Sequence, residues 1–298
     1  MLDNKKVGTV LALGYFDSVH LGHQKVIKTA EELAKKLSAK LVIVTFGGNL
    51  KAVLFGEKEK VVYTDSEREK LYLSLGADQV YFAPITSEFL GMESQEFLKH
   101  LNDKFDVKGY VCGQDYRFGK NGTGCAEDVK FYAKENGQEA IIIPLKLCGD
   151  KKISSTEIKR LISIGDVKGA NAMLGRFYSV SGIVQEDRKI GTKMGFPTTN
   201  VRLNRDKERL PDGVYAGGVE FDNKRYKAIV NYGARPTFNL EDKLVEAHIL
   251  DFNGNLYGKE IKVFFHSFIR DVMKFSSVEQ LVKQIGKDLI TVREIDYD

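Results

Sequence analysis

Apolar positions fall into two rhythms along the chain. In the first half, short apolar runs at 8–14, 41–46, 79–83, 109–112 and 140–144 read as strands, with helical patterns between them. The clearest helix runs from Leu21 to Leu37, where Val26, Ile27, Ala30, Leu33, Ala34 and Leu37 share one face. A second opens at a capping box, Thr64 with Glu67, and stops at Gly76. A helical pair from 155 to 174 is expected to close this half. Strands alternating with helices at this spacing predict a parallel, Rossmann-like sheet. After about 178 the texture changes. Short strands at 179–184, 213–221, 225–232, 243–251 and 259–268 follow one another, with hairpin turns expected at Asp222–Asn223 and Asn253–Gly254. A last amphipathic helix opens at a Ser276/Glu279 capping box and carries Leu281, Val282, Ile285, Leu289 and Val292. The pattern predicts an antiparallel β-barrel with a covering helix at 179–298, after an α/β domain at 1–178.

Composition narrows the function classes. The chain has 298 residues, 43% hydrophobic and 29% charged, enough for two ordinary cores. The N-terminus has no long apolar run of the signal-peptide kind, and no stretch is long enough to span a bilayer. Cys112, Cys125 and Cys148 have neither disulfide nor zinc spacing and read as small hydrophobes in a reducing, cytoplasmic compartment. The net charge of +4 is spread rather than run in blocks, which implies no nucleic acid and suits phosphate-bearing substrates.

Candidate chemistry begins where the first strand ends, at Gly14-Tyr15-Phe16-Asp17-Ser18-Val19-His20-Leu21-Gly22-His23-Gln24. Here a helix opens with His-x-Gly-His in its first turn. Free N–H groups and the positive dipole end favour phosphate, Gly22 lets backbone approach a ligand, and two imidazoles can hydrogen-bond phosphate oxygens as charge builds. This segment resembles the HxGH signature of nucleotidyltransferases, and the longer string resembles the FAD synthetase branch. Gly113-Gln114-Asp115-Tyr116-Arg117-Phe118-Gly119 and Ile153-Ser154-Ser155-Thr156-Glu157-Ile158-Lys159 are similar to two further motifs of that branch, with Tyr116 and Lys159 as substitutions. The resemblance implies that ATP is bound by Gly14, Phe16, Asp17, His20, His23, Asp115, Arg117, Ser154, Ser155 and Thr156. FMN would then attack the ATP α-phosphate and pyrophosphate would leave. One segment departs from the family: Thr45-Phe46-Gly47-Gly48-Asn49-Leu50 stands where TFxPHP is usual, so both prolines and the histidine are missing. Its two glycines are expected to turn backbone N–H groups toward phosphate.

In the second half, Gly191-Thr192-Lys193-Met194-Gly195-Phe196-Pro197-Thr198-Thr199-Asn200 resembles the riboflavin kinase GxxxGFPTAN motif. Asp212-Gly213-Val214-Tyr215-Ala216, then Asn231-Tyr232-Gly233-Ala234-Arg235-Pro236-Thr237-Phe238, and then Glu246-Ala247-His248-Ile249-Leu250 follow in family order. The resemblance implies ATP contacts from Gly191, Lys193, Gly195, Thr198 and Asn200, with Thr198 and Asn200 offering neutral oxygens to Mg²⁺ carried by ATP. Glu246 is the candidate general base for the riboflavin 5′-hydroxyl. His248, on the same face by alternation, reads as structural. Ile269-Arg270-Asp271-Val272-Met273-Lys274-Phe275 is similar to the LRxExKF flavin loop, implying flavin contacts from Arg270, Lys274 and Phe275. Together these motifs resemble the bifunctional riboflavin kinase/FAD synthetase family, whose small molecules are riboflavin, FMN, FAD and ATP with Mg²⁺. Two other readings stay open at this stage: a kinase with a decayed adenylyltransferase half, and a non-catalytic flavin-binding regulator.

Overall fold

The computed structural model describes residues 7–48, 50–56, 59–144, 147–148, 151–185, 196–234 and 243–297. The chain forms two compact units, Met1–Ser155 and Thr156–Asp298. In the first, β1 (Thr9–Leu13), α1 (Leu21–Lys36), β2 (Lys40–Phe46), α2 (Leu50–Phe55), α3 (Asp65–Ser74) and β3 (Gln79–Ala83) come first. Then follow α4 (Ser87–Leu90), α5 (Ser94–Phe105), β4 (Val107–Gly113), a small ladder of β5 (Arg117–Phe118) with β6 (Gly124–Cys125), α6 (Ala126–Glu135) and β7 (Glu139–Ile143). Strands β8 (Leu147–Cys148) and β9 (Lys151–Lys152) pair in a short hairpin.

The sheet is parallel throughout, in the order β3-β2-β1-β4-β7. Alternation along its strands supplies two cores. Leu11, Leu13, Val42, Val44 and Tyr110 meet Phe97 and Leu101 of α5 and Val129 and Ala133 of α6. On the opposite face, Val10, Ala12, Ile43 and Val111 meet Val26, Ile27, Ala30 and Leu33 of α1. From β1 the chain winds outward to β3, then returns to lay β4 on the other side of β1. The loops leaving the carboxyl ends of β1 and β4 therefore diverge, and the crevice they leave is where such sheets bind ligands.

The second unit contains α7 (Ser155–Ser163, whose first residue belongs to the first unit), α8 (Val167–Leu174) and β10 (Tyr178–Ile183). It continues through β11 (Thr199–Arg202), β12 (Gly213–Phe221), β13 (Lys224–Ala234), β14 (Lys243–Ile249), β15 (Glu260–Arg270) and α9 (Val278–Glu294). The antiparallel order is β10-β15-β12-β13-β14-β11, and a bridge from Gln185 to Asn200 brings the two edges together into a nearly closed barrel. Tyr178, Tyr215 and Tyr232 gather around Phe265 inside it. Outside, Ile285, Leu289 and Val292 of α9 cover Val214, Ala216 and Ile229.

Four local expectations are corrected. The helical pair groups with the barrel: Asn171 of α8 donates to the Phe265 carbonyl at 3.0 Å and accepts from the Tyr178 N–H at 2.6 Å. Asp222–Asn223 is a hairpin turn with both residues left-handed (φ 48° and 58°), but Asn253–Gly254 is not. Neither of the latter has positive φ, and β14 and β15 are not neighbours in the sheet. The last helix is capped by Ser277, which accepts from the Gln280 N–H, one residue later than the sequence pattern. Lastly, a short strand absent from the sequence expectation, β11, begins at Thr199 within the kinase motif and runs on to Arg202.

Candidate functional sites

At the carboxyl end of β1 the backbone turns sharply. Phe16 and Val19 take left-handed conformations (φ 45° and 47°) that ordinary side chains avoid, a form of local strain that collects at functional sites. Gly14 is needed for close approach, because a Cβ there would lie 2.5 Å from the Phe16 ring. His20 caps α1, its Nδ1 accepting from the His23 N–H at 3.1 Å. With Nδ1 an acceptor, a neutral His20 carries its proton on Nε2. The His20 and His23 rings stack at 3.5 Å between centroids, and Phe16 sets its edge against His23 at 5.3 Å. No acidic residue lies in the first turn of α1, so the positive end of the helix dipole is left for an anion.

Ser155, at the start of α7, is drawn into the same loop. Its hydroxyl meets the Asp17 carboxylate and lies 2.8 Å from the Ser18 hydroxyl, while the Ser18 N–H donates to Asp17 at 2.9 Å. Asp17 thus acts as a bracket between two segments of the predicted site. Ser154, one residue before Ser155, is part-buried, and Thr156 is exposed on the first turn of α7. Asp115 follows β4 and pairs with Lys152 at 3.0 Å, and the exposed Arg117 lies on β5.

Sequence reasoning missed the buried scaffold beneath these loops. Arg68, 2% exposed, donates to the carbonyls of Tyr15 (3.1 Å) and Phe46 (2.8 Å) and pairs with Asp65 at 2.5 Å. Burial alone would lower its pKa, but Tyr72 and Asp65 outweigh that and hold the guanidinium charged above its ordinary range. Tyr72 donates to the Phe16 carbonyl at 2.9 Å. Burial pushes its hydroxyl far above the usual phenol range, so it keeps the proton it donates. Of the two glycines expected to turn N–H groups toward phosphate, Gly48 instead donates its N–H to Asp65 at 2.6 Å. Asn49 lies outside the described residues.

In the barrel, Glu246 sits at the middle of β14, directly opposite Asn200 of β11 and Asn231 of β13. Directly opposed residues of antiparallel strands share a face, so one carboxylate lies between two carboxamides. His248 donates from Nδ1 to the Pro197 carbonyl (2.9 Å) and meets the Phe196 ring at 5.4 Å, tying down the segment that leads to part-buried Thr198. The Thr199 hydroxyl donates to the Ala247 carbonyl at 3.3 Å. Gly191, Lys193 and Gly195, with the Arg235–Phe238 motif, lie outside the described residues. Arg270 is bound bidentately by Asp288 of α9, with its shortest contact at 2.7 Å, and Gln284 donates to the same carboxylate at 2.9 Å. Lys274 is exposed and Phe275 part-buried just beyond β15.

A doubly wound domain with a phosphate-suited loop, joined to a barrel carrying a carboxylate between two asparagines, fits the class of phosphate-transferring enzymes. Family profiles agree, with FAD synthetase matching residues 2–157 and riboflavin kinase matching 174–295. A bifunctional riboflavin kinase/FMN adenylyltransferase of Listeria monocytogenes is 35% identical, covering 95% of this chain and 90% of its own length. The protein of the same name from Bacillus subtilis is 35% identical over 97% of this chain and 92% of its own length. A crystal structure from Streptococcus pneumoniae, described as a macrolide-efflux protein, aligns with a TM-score of 0.86 at 33% identity, over 97% of this chain and 95% of that one. Among the described residues no helix is long and apolar enough to cross a membrane. The chain belongs to the bifunctional riboflavin kinase/FMN adenylyltransferase family.

Proposed function

We propose that the barrel phosphorylates riboflavin to FMN and that the α/β unit adenylylates FMN to FAD, each using Mg-ATP. The observation that carries the reading is that His20, His23, Ser18 and Ser155 meet at the carboxyl end of β1, where the sheet order reverses. In that site a phosphate oxygen of FMN attacks the α-phosphorus of ATP and the bond to pyrophosphate breaks. His20 Nε2–H, His23 and the first amides of α1 stabilise the charge that gathers on the phosphoryl oxygens. The chain forms no covalent intermediate, so positioning and electrostatics carry the step. Arg117, Ser154 and Thr156 are assigned to the ATP phosphates.

In the barrel, Glu246 removes the 5′-hydroxyl proton as that oxygen attacks the γ-phosphorus of ATP, and ADP leaves. Thr198 and Asn200 present neutral oxygens, the donor type that suits the Mg²⁺ travelling with ATP. Gly191, Lys193 and Gly195 are assigned to the ATP phosphates, and Lys274 and Phe275 to the flavin. Arg270 reaches the flavin only if its pair with Asp288 opens or shares it. The three thiols are free, and ATP is an intracellular substrate, both of which suit a cytoplasmic enzyme. The test is purified protein with riboflavin, ATP and Mg²⁺, with FMN and FAD separated by chromatography. Both products support the reading; FMN alone would favour a decayed α/β unit.

A further inference from the structure

The loop that departs from the family lacks the prolines that would stiffen it, yet its described part is tied at both the N–H and the carbonyl of one residue. Gly48 is left-handed (φ 61°), a conformation glycine adopts at little cost. Its N–H donates to Asp65 Oδ2 at 2.6 Å and its carbonyl accepts from the Tyr15 hydroxyl at 3.2 Å. The other oxygen of Asp65 holds Arg68, whose fork reaches the carbonyls of Phe46, just before the glycines, and of Tyr15, in the loop leading to His20. The guanidinium lies 5.5 Å from the Tyr15 ring and 5.7 Å from the Phe82 ring. One buried cation therefore connects the exits of β1 and β2, and one carboxylate passes that connection on to the glycine loop.

We propose that Asp65 and Arg68 are positioning residues of the adenylylation site, holding the Gly47–Gly48 loop against the His20 loop in place of the missing prolines. This rests on the adenylylation reading above. Neither residue touches the reacting atoms. An untethered loop spends only part of its time in the ATP-competent arrangement, and apparent affinity falls by that fraction while the bound complex reacts as before. The signature is thus a rise in KM for ATP with little change in kcat.

The test is Asp65→Ala in the full-length protein. The capping box of Thr64 and Glu67 remains to start α3 and Arg68 keeps its two carbonyl acceptors, so the unit stays folded under assay conditions although losing the carboxylate beside a buried guanidinium costs stability. KM for ATP in FAD formation from FMN is expected to rise about tenfold, the weight of one charge-assisted hydrogen bond, with kcat within about threefold of wild type. FMN formation from riboflavin, made in the other unit, should be unchanged. Arg68→Lys keeps the charge but loses the fork, and should shift KM the same way. Gly47→Ala added to Asp65→Ala should recover part of the loss. It removes chain freedom, and the atom 3.1 Å from the new Cβ, Asp65 Oδ2, is gone. Hydrogen exchange at the Gly48 amide should speed up in Asp65→Ala. A KM within about twofold of wild type, equal loss of both activities, or unchanged Gly48 exchange would each overturn the proposal. Wild-type protein that makes no FAD while Gly48 exchange behaves as expected would instead overturn the adenylylation reading alone.

Discussion

Phe16 holds its left-handed backbone because Tyr72 donates to its carbonyl from inside the core. Tyr72→Phe removes that bond and leaves a buried carbonyl short of a donor, so about 1–2 kcal/mol of stability should be lost by denaturant unfolding. Burial raises the Tyr72 pKa in the folded state, so its contribution is fully present below the unfolded value of about 10 and lost as pH rises above it. The difference between wild type and Tyr72→Phe should therefore stay flat from pH 6 to 9 and shrink above pH 10. In the barrel, Glu246→Gln should cut FMN formation at least about 100-fold, the usual share of a general base, while FAD formation from added FMN continues. A near-normal turnover number for FMN would mean that another group takes the proton. The motif residues His20, His23, Ser155, Asn200 and Glu246 were legible because their types and order carry them. Arg68 was not, because its partners are backbone carbonyls 53 and 22 residues away, which leave no trace in side-chain pattern.

At the scale of elements, α8 is part of the barrel's structure although it precedes every kinase motif. Asn171 bonds both β10 and β15, and β10 begins with Tyr178 and Ser179, which are 0% and 4% exposed. A fragment starting near 180 discards these contacts and a buried aromatic ring, a loss of roughly 3 kcal/mol or more. A fragment starting at 156 should fold and phosphorylate riboflavin, whereas one starting at 180 should be far less stable; equal melting temperatures would contradict this. The other element-level device is α9, which presents the 3% exposed Asp288 to Arg270. Asp288→Ala strands a largely buried guanidinium and should cost about 3 kcal/mol in thermal or denaturant unfolding. Strands and helices with strong periodicity were read correctly from sequence. Strand β11, with four residues, was too short to show alternation, and Asn253–Gly254 copied a hairpin signal without the pairing that a hairpin needs.

For the molecule as a whole, the product of the barrel is the substrate of the α/β unit, so one chain supports two ATP-dependent steps joined by free or transferred FMN. No described residue needs to serve both chemistries: Glu246 lies in the second unit, His20 and His23 in the first. The most direct measurement is a time course of FMN and FAD from riboflavin and Mg-ATP for wild type, His23→Ala and Glu246→Gln. Wild type should show FMN followed by FAD, His23→Ala should stop at FMN, and Glu246→Gln should make FAD only when FMN is supplied. Loss of both products in either variant would contradict two independent sites.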